Sequence, residues 1–300
     1  MSVLIVGSVA FDTIETPFER RERVLGGSCT YSAIAASLFT DVSIVAVVGE
    51  DFKEEHFKIL TDKKIDTSGV KREKGKSFFW EGRYHMDMNL RDTIKTELNV
   101  FENFEPVISD EHREKEFLFL ANIDPVLQMK VLDSMKRLKF SLCDTMNLWI
   151  EIKKKELIQV FKRVDCVVLN DFEVRQFSGV PNLILGAREI RKLGPKYVII
   201  KKGEHGATLI GPEGLYFSIP SYPVENVIDP TGAGDSFAGA FIGFLAKEKN
   251  IDERNLKKAI VYGNVVASYT VEGFGIDRLY NINMNDINNR INSIKKCVEF

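Results

Sequence analysis

Short apolar segments alternate with helical patterns along most of the chain, and this alternation limits the possible folds more than any other feature. The strand candidates are Val3–Val6, Ser43–Val47, Phe117–Leu120, Phe140–Leu142, Cys166–Leu169, Val198–Ile200 and Ala207–Ile210. Several are apolar throughout, as expected for parallel strands that helices cover on both faces. Helical patterns lie between them, at Ser28–Phe39, Glu54–Lys63, Pro125–Leu138, Glu151–Lys162 and Leu183–Leu193. This order predicts a doubly wound, mostly parallel α/β sheet.

Residues 77–101 interrupt the alternation, because their pattern has a period of two. One run alternates at Phe78, Trp80, Tyr84 and Met86, and a second at Ile94, Thr96, Leu98 and Val100. Such half-buried strands do not easily join a parallel sheet, so they predict a small separate β-sheet that folds over the site as a lid. The predicted organisation is one domain over residues 1–300, with a lid from about residues 12–25 and 77–101. A surface hairpin without a functional role is the alternative, and exposed lid strands would allow a homodimer.

Composition excludes several classes of protein. The 41 lysine and arginine residues nearly balance the 43 aspartate and glutamate residues, and the resulting net charge of -2 argues against a nucleic-acid partner. The longest apolar run, Phe237–Ala246, is far shorter than the ~20 residues of a membrane helix, so no membrane partner is expected. The first segment has no basic region like that of a signal peptide. The cysteines form no CxxC pair, which indicates reduced thiols in a cytoplasmic protein.

The most specific motif is Asp229-Pro-Thr-Gly-Ala-Gly-Asp235, which leads directly into an apolar helix. Because Gly232, Ala233 and Gly234 have little or no side chain, their backbone N–H groups can approach an anion, and the helix N-terminus adds partial positive charge. Asp235 beside such an anion site is suited to take a proton from a hydroxyl group that attacks a phosphate. The pattern therefore favours phosphoryl transfer to an alcohol. A tight glycine turn followed by an ordinary first-turn aspartate is the alternative.

This motif closely resembles the second signature of the ribokinase (PfkB) family of carbohydrate and nucleoside kinases. Further segments resemble family motifs in the right order over nearly the whole chain: Gly7–Asp12, Gly26-Gly27, Gly49–Asp51, Asn170–Glu173 and Lys202–Gly206. The resemblance implies a three-layer α/β/α fold and a phosphotransferase that uses ATP and an alcohol acceptor.

The resemblance also implies roles in binding the substrate and the metal. Asp12, at the end of the first strand, would bind substrate hydroxyls together with Gly26 and Gly27. Asn170 and Glu173 would hold Mg²⁺, largely through water and the ATP phosphates. A strand-end turn, a helix-entry turn and a helix cap are the alternatives for these three segments.

A second set of residues is implied at the nucleotide. The nucleotide loop would include Lys202, Gly203 and Gly206. Asn264, on a late helix, would lie near the adenine. Thr231 lies where some family members bind a monovalent cation such as K⁺. Lys201 and Lys202 also fit solvated surface charge, and no specific role is assigned to Lys201.

Two positions depart from the family pattern on the substrate side. Tyr31 and Ala10 each stand where many members have an asparagine, so two amides that would bind sugar hydroxyls are missing. Near predicted strand ends, the candidates to replace them are Asn122, Asp144 and Asn147. Arg83 and Trp80, on a lid strand, are candidates to close over the substrate. Ordinary strand-end and surface residues are the alternative for all of these positions.

The sequence thus predicts an ATP-dependent kinase that phosphorylates a hydroxyl group, expected to be a primary alcohol, of a sugar or sugar derivative. A nucleoside kinase on the same scaffold is an alternative, because Tyr31 and the lid aromatics could border a base. A non-catalytic ATP-binding sensor is disfavoured by Asp235, because a sensor needs no base. Neither G-x-G-x-x-G after the first strand nor G-x-x-x-x-G-K-[ST] occurs, which argues against a dinucleotide-dependent oxidoreductase and a P-loop enzyme.

Overall fold

The computed structural model describes residues 2–299, so the first and last residues of the predicted domain lie outside the described part. Its strands are β1 (Ser2–Val6), β2 (Ala10–Glu15), β3 (Arg20–Gly26), β4 (Asp41–Val48), β5 (Ile65–Arg72), β6 (Phe78–Tyr84), β7 (Arg91–Glu97), β8 (Phe117–Leu120), β9 (Phe140–Asp144), β10 (Cys166–Asn170), β11 (Tyr197–Lys201), β12 (Ala207–Ile210) and β13 (Tyr216–Ile219). Its α-helices are α1 (Ser28–Ser37), α2 (Glu54–Asp62), α3 (Asp110–Arg113), α4 (Pro125–Ser134), α5 (Asn147–Ile152), α6 (Lys154–Phe161), α7 (Asp171–Ser178), α8 (Leu183–Arg191), α9 (Ala233–Glu248), α10 (Glu253–Thr270), α11 (Asp277–Tyr280) and α12 (Met284–Val298). Two 3₁₀ helices span Asn99–Asn103 and Gly203–His205.

Nine strands form one large sheet in the order β13-β12-β11-β10-β9-β8-β1-β4-β5. Every neighbouring pair from β11 to β5 is parallel, and only β12 and β13 add antiparallel pairs at one edge. The predicted mostly parallel sheet is therefore confirmed. The sequence did not reveal β5, because this edge strand carries polar side chains at most positions.

Alternate side chains of β1 enter two different cores. Val3 and Ile5 belong to a core that also contains buried residues of α1, α9 and α10. Leu4 and Val6 point the other way, into a core built with α4, α6, α7 and α8. Because a strand directs successive side chains to opposite faces, this division places helical layers on both sides of the sheet. It confirms the three-layer arrangement and explains why the strands are apolar throughout.

The small sheet contains β3, β2, β6 and β7 in that order. β2 pairs with β6 in parallel, whereas the two outer pairs are antiparallel. The predicted small sheet is thus present, but its last strand is shorter than the period-two pattern indicated. β7 ends at Glu97, and Asn99 takes a positive φ of 50° at the start of a 3₁₀ helix, so Val100 lies outside the strand. We call these four strands the lid sheet.

One predicted helix is divided in two. The pattern at Glu151–Lys162 predicted a continuous helix, whereas α5 ends at Ile152 and α6 begins at Lys154. Lys153 between them has φ -135° and ψ 34°, which is outside the helical region. Within residues 2–299, none of the helices is long and apolar enough to cross a membrane.

Candidate active site

The N-terminus of α9 forms the centre of the site. Gly232 precedes the helix with φ 77°, a left-handed conformation that favours glycine. Asp235 lies in the first turn, and burial, followed by the charge of Asp144, raises its pKa to about 7. Lys201 and Arg91 act in the opposite direction on this pKa. A carboxylate that is half ionised near neutral pH, beside a helix N-terminus, is suited to accept a proton.

Asp12 and the glycine pair come together on the lid sheet. Asp12 does not end the first strand, as the sequence suggested, but lies within β2 and is buried. Its carboxylate lies against Gly26, where a Cβ atom would collide with it, and it accepts a hydrogen bond from the Gly27 N–H. Burial, Asp229 and Asp235 raise the pKa of Asp12 to about 8. The two glycines thus leave room for a buried carboxyl group, which lies within electrostatic reach of Asp229 and Asp235.

Tyr31 lies directly beneath the anion site. Its side chain is 1% exposed, and a Cβ atom on Gly232 would collide with its ring. Burial raises the pKa of Tyr31 well above its usual value, and Asp229 and Asp12 raise it further. The phenol therefore stays protonated, within electrostatic reach of the carboxylates of Asp229 and Asp12.

The lid sheet contributes Tyr84, named above only among the alternating lid residues, and Arg91, which no sequence pattern indicated. The Tyr84 hydroxyl lies 3.0 Å from Oγ1 of Thr231 and accepts a hydrogen bond from Arg91, its cross-strand partner. The charge of Arg91 lowers the pKa values of Asp12, Glu173 and Asp235, so this guanidinium faces the site. The period-two pattern held the signal for Tyr84, because it put this residue on the same face as Trp80.

Arg83 does not occupy the predicted position over the substrate. Adjacent residues of a strand point to opposite faces, so Arg83 lies on the outer face of the lid sheet when Tyr84 lies on the inner face. There its Nε donates to Oε1 of Glu15 at 2.9 Å, and its side chain is 53% exposed. The inner face instead carries Trp80, which packs with Tyr84 and Phe274.

Side chains near the ends of β8, β9 and β11 already have partners within the protein. Asn122 accepts a hydrogen bond from Trp149 and donates one to Met146, so its amide is already engaged. Asp144 pairs with Lys201, whose Nζ lies 2.9 Å from Oδ2 of the carboxylate. Lys201 is therefore a mostly buried, paired cation and not solvated surface charge. The third candidate, Asn147, is exposed at the start of α5.

Asn170 and Glu173 form a reciprocal helix cap at the start of α7. The Glu173 N–H donates to Oδ1 of Asn170, and the Asn170 N–H donates to Oε2 of Glu173, each at 2.8 Å. Burial raises the pKa of Glu173 to about 7, although Lys201 lowers it. The cap was the alternative interpretation of this motif, and it leaves the second carboxylate oxygen of Glu173 for a further contact.

The predicted nucleotide loop lies beneath the tip of the lid sheet. Gly203 and Gly206 both have positive φ, 54° and 80°, and a Cβ atom on Gly203 would collide with Asn89 of the β6–β7 turn. Lys202 lies 3.4 Å from the hydroxyl of Ser218. The loop and the lid therefore touch directly.

Asn264 and Asp229 each join two loops. Asn264 is buried on α10, and its amide donates to the Pro220 carbonyl at 2.7 Å. Asp229 is fully buried and accepts the N–H groups of Thr231 at 2.8 Å and Gly275 at 3.0 Å. Burial raises the pKa of Asp229 to about 6, and these hydrogen bonds oppose the shift.

Comparisons with known proteins bear on the family and the fold of this chain. Residues 3–279 match the model of the pfkB family carbohydrate kinases. A cytidine kinase of Thermococcus kodakarensis is 28% identical over 259 residues, which are 84% of this chain and 91% of that protein. Relatives of this chain thus include kinases that act on sugars and on nucleosides.

Solved structures share the fold at low identity. A Methanocaldococcus jannaschii nucleoside kinase superposes with a TM-score of 0.77 at 19% identity, covering 97% of this chain and 98% of that one. A Vibrio cholerae fructokinase, solved with fructose, ADP and calcium, gives a TM-score of 0.81 at 17% identity with the same coverage. The predicted family, fold and reaction class are confirmed. This chain belongs to the pfkB family of carbohydrate kinases.

Proposed function

We propose that this protein transfers the γ-phosphoryl group of ATP to a hydroxyl group, a primary alcohol, of a sugar or sugar derivative. The observation that supports this most is Asp235 in the first turn of α9, with a pKa raised to about 7 by burial and Asp144. The carboxylate accepts the proton of the attacking hydroxyl as the oxygen–phosphorus bond forms and the bond from phosphorus to the leaving ADP oxygen breaks. The N–H groups of Gly232, Ala233 and Gly234 stabilise the negative charge of the phosphoryl group in transfer.

The acceptor is proposed to lie between Asp12, the glycine pair and the inner face of the lid sheet. The buried carboxyl of Asp12 holds a hydroxyl of the acceptor, and Tyr84 and Arg91 cover the site. The contact between Asn89 and Gly203 joins the lid tip to the nucleotide loop. Closure of the lid sheet over the acceptor excludes water, which would otherwise compete with the acceptor for the phosphoryl group.

The residues present fit ATP and Mg²⁺. Lys201 lies beside the anion site of Gly232, Ala233 and Gly234, since a Cβ atom on Gly234 would be 2.9 Å from its Nζ. This positive charge suits phosphate oxygens. We place the nucleotide loop at Lys202, Gly203 and Gly206. The free oxygen of Glu173 suits water bound to Mg²⁺, with Asn170 holding that carboxylate in place. Bound Mg²⁺ neutralises charge on the phosphates.

The proposed sites for the adenine and for a monovalent cation are supported by fewer contacts. The proposed adenine site is next to Asn264, which ties α10 to the Pro220 loop. A monovalent cation such as K⁺ next to Asp229 and Thr231 would stabilise the ionised form of a carboxyl whose pKa burial raises. Dependence of turnover on K⁺ tests this site.

A nucleoside kinase is a second candidate, favoured by the inner face of the lid sheet. Ile14, Tyr84 and Phe274 form a buried apolar cluster there, with Trp80 packed against it. Aromatic and apolar side chains suit a base better than a bare sugar. The cytidine kinase relative supports the same candidate. A sensor that binds ATP without turnover would have no use for the ionisable group at Asp235.

The cellular location and the assembly are also proposals. Three of the four cysteines are buried and all are free, which supports a cytoplasmic location. A homodimer through the lid sheet would have to join outer faces that carry the ion pairs of Arg20 with Glu81 and Arg83 with Glu15. Analytical ultracentrifugation at low and high salt tests this assembly.

The deciding experiment measures ADP release with Mg-ATP against D-ribose, D-fructose, sugar acids, polyols, cytidine and other nucleosides. Asp235→Asn should retain ATP binding but lose about 10²–10⁴ in turnover, because it cannot accept the proton. Asp110→Asn, at an exposed helix N-terminus, is the matched control and should not change turnover. Turnover on a sugar supports the main proposal, and turnover on nucleosides alone supports the second. ATP binding without turnover on any acceptor would favour the sensor.

A further inference from the structure

The hydroxyl group of Tyr31 is buried and has no hydrogen-bond partner among the described residues. Its side chain is 1% exposed. Nearly all buried polar groups in proteins have a partner, because burial without one costs free energy. An unpartnered hydroxyl at this place therefore points to a ligand.

The position of the hydroxyl narrows the choice of ligand. The ring of Tyr31 is packed against Gly232, which begins the anion site. The charges of Asp229, Asp12 and Asp235, and the nearby Tyr84, also act on this phenol. None of these four side chains is hydrogen bonded to it. The hydroxyl thus lies within electrostatic reach of both the carboxylate that is proposed to bind the acceptor and the one proposed as base.

We propose that Tyr31 is a specificity-determining residue whose hydroxyl donates a hydrogen bond to a hydroxyl group of the acceptor that Asp12 also binds. This inference rests on the proposed function. An alcohol group donates one hydrogen bond and accepts others, so a single substrate hydroxyl can accept from the phenol and donate to the Asp12 carboxylate. The ligand class is therefore a polyhydroxyl compound, such as a sugar or the sugar part of a nucleoside, and not an apolar alcohol.

The proposal predicts opposite effects on stability and on binding. In the free protein, the hydroxyl is a buried polar group without a partner, so its removal in Tyr31→Phe does not lower stability. In the complex, removal leaves a substrate hydroxyl without its donor, so acceptor affinity falls. If the hydroxyl only stabilised the fold, Tyr31→Phe would lower stability and leave acceptor affinity unchanged.

Tyr269 provides the matched control. Its hydroxyl is also on a buried side chain, but it donates to the Asp286 carbonyl at 2.8 Å, between α10 and α12. Tyr269→Phe should lower the melting temperature and leave the acceptor KM unchanged. The two tyrosine variants therefore separate loss of a fold contact from loss of a substrate contact.

The experiment measures melting temperature, kcat, and the KM values for acceptor and ATP in wild type, Tyr31→Phe and Tyr269→Phe. The acceptor is the best substrate among D-ribose, D-fructose and cytidine. For Tyr31→Phe we expect an acceptor KM about 10-fold higher, an unchanged ATP KM and a melting temperature at least as high as wild type. Unchanged acceptor KM overturns the proposal, whatever the melting temperature.

A binding measurement keeps this test separate from that of the proposed function. Calorimetric titration of the same three compounds into Asp235→Asn, with and without Tyr31→Phe, requires no turnover. If a sugar binds but wild type does not phosphorylate it, the proposed function fails, and a 10-fold weaker binding with Tyr31→Phe still supports the present inference. If none of the three binds to either protein, both fail. Asp12→Asn combined with Tyr31→Phe should show non-additive losses, because both side chains bind one hydroxyl, and additive losses would contradict this.

Discussion

Nζ of Lys201 lies 2.9 Å from Oδ2 of Asp144, and the two side chains, 17% and 4% exposed, form a buried ion pair at the carboxyl ends of β11 and β9. Burial lowers the pKa of Lys201, but Asp144 and Glu173 raise it by more, so the lysine stays charged. The ammonium also lies against Gly234 at the N-terminus of α9. Asp144 offsets part of the unfavourable approach of this cation to the positive end of the helix, and in the proposed function the remaining positive charge would face the phosphoryl group in transfer.

We predict that Lys201→Met lowers kcat by about 10²-fold, since the phosphoryl group in transfer loses a preorganised cation. Lys196→Met, at the exposed residue just before β11 and thus at the strand end opposite Lys201, should retain wild-type kcat. Steady-state kinetics over a range of ATP concentrations measures both.

Stability needs a separate control in this experiment. Lys201→Met leaves Asp144 as a buried, unpaired charge, which strongly destabilises a protein. The double variant Lys201→Met with Asp144→Asn removes the pair and should recover melting temperature but not kcat. Recovery of kcat in the double variant would contradict a direct role for the lysine.

The anion site and its surroundings differ in how well the sequence could predict them. Gly232–Asp235 could be predicted because a small-residue loop leading into a helix is local in the sequence. Lys201 and Arg91 could not, because strands distant in sequence bring them to the site and neither lies in a recognisable motif. β5 was missed for a related reason: an edge strand lacks the continuous apolar pattern of the central strands.

We predict that Gly232→Ala lowers turnover. An alanine at this positive φ strains the backbone, and its Cβ atom would collide with the Tyr31 ring. A displacement of the anion site by about 1 Å can lower the rate by about 10²-fold. Gly214→Ala is the matched control: Gly214 has nearly the same φ, 79°, with nothing within 4 Å of the new atom. Gly214→Ala should lose only the stability that its positive φ costs, Gly232→Ala should lose more because of the Tyr31 ring, and only Gly232→Ala should lose kcat. Equal kcat values in Gly232→Ala and Gly214→Ala would show that the anion site tolerates the displacement.

The rate should depend on pH with an acidic limb near pH 7. Asp235 acts as a base only when it is ionised, and burial and Asp144 raise its pKa to about 7. We therefore expect kcat at saturating acceptor, where protonation of Asp12 in the free site no longer limits binding, to fall about 10-fold per unit below this pH and to level off above it. Glu173 also has a pKa of about 7, raised by burial, so Glu173→Gln is the necessary control. If the limb disappears in Glu173→Gln, it belongs to Glu173 and not to the base.

Asp12 should make the free protein less stable as the pH rises. Burial, Asp229 and Asp235 raise its pKa to about 8 in the folded state, against 3.8 for an exposed aspartate. Between about pH 4 and 8, the unfolded chain releases this proton while the folded protein retains it, so the contribution of Asp12 to stability falls across this range. Asp12→Asn has no such proton, and its melting temperature should exceed that of wild type by an amount that grows from pH 5 to pH 8.

Asp66 supplies a control of opposite sign for this experiment. Burial raises the pKa of Asp66, but hydrogen bonds from His112 and Ser68 lower it by more, to well below its usual range. Asp66→Asn should therefore be less stable than wild type at pH 7, and the difference should shrink as the pH falls through the range in which the unfolded aspartate is protonated.

A melting-temperature difference for Asp12→Asn that stays constant with pH would mean that Asp12 is already ionised in the free site. In that case the carboxylate would bind a substrate hydroxyl without first losing a proton, and acceptor affinity would not rise between pH 6 and 8.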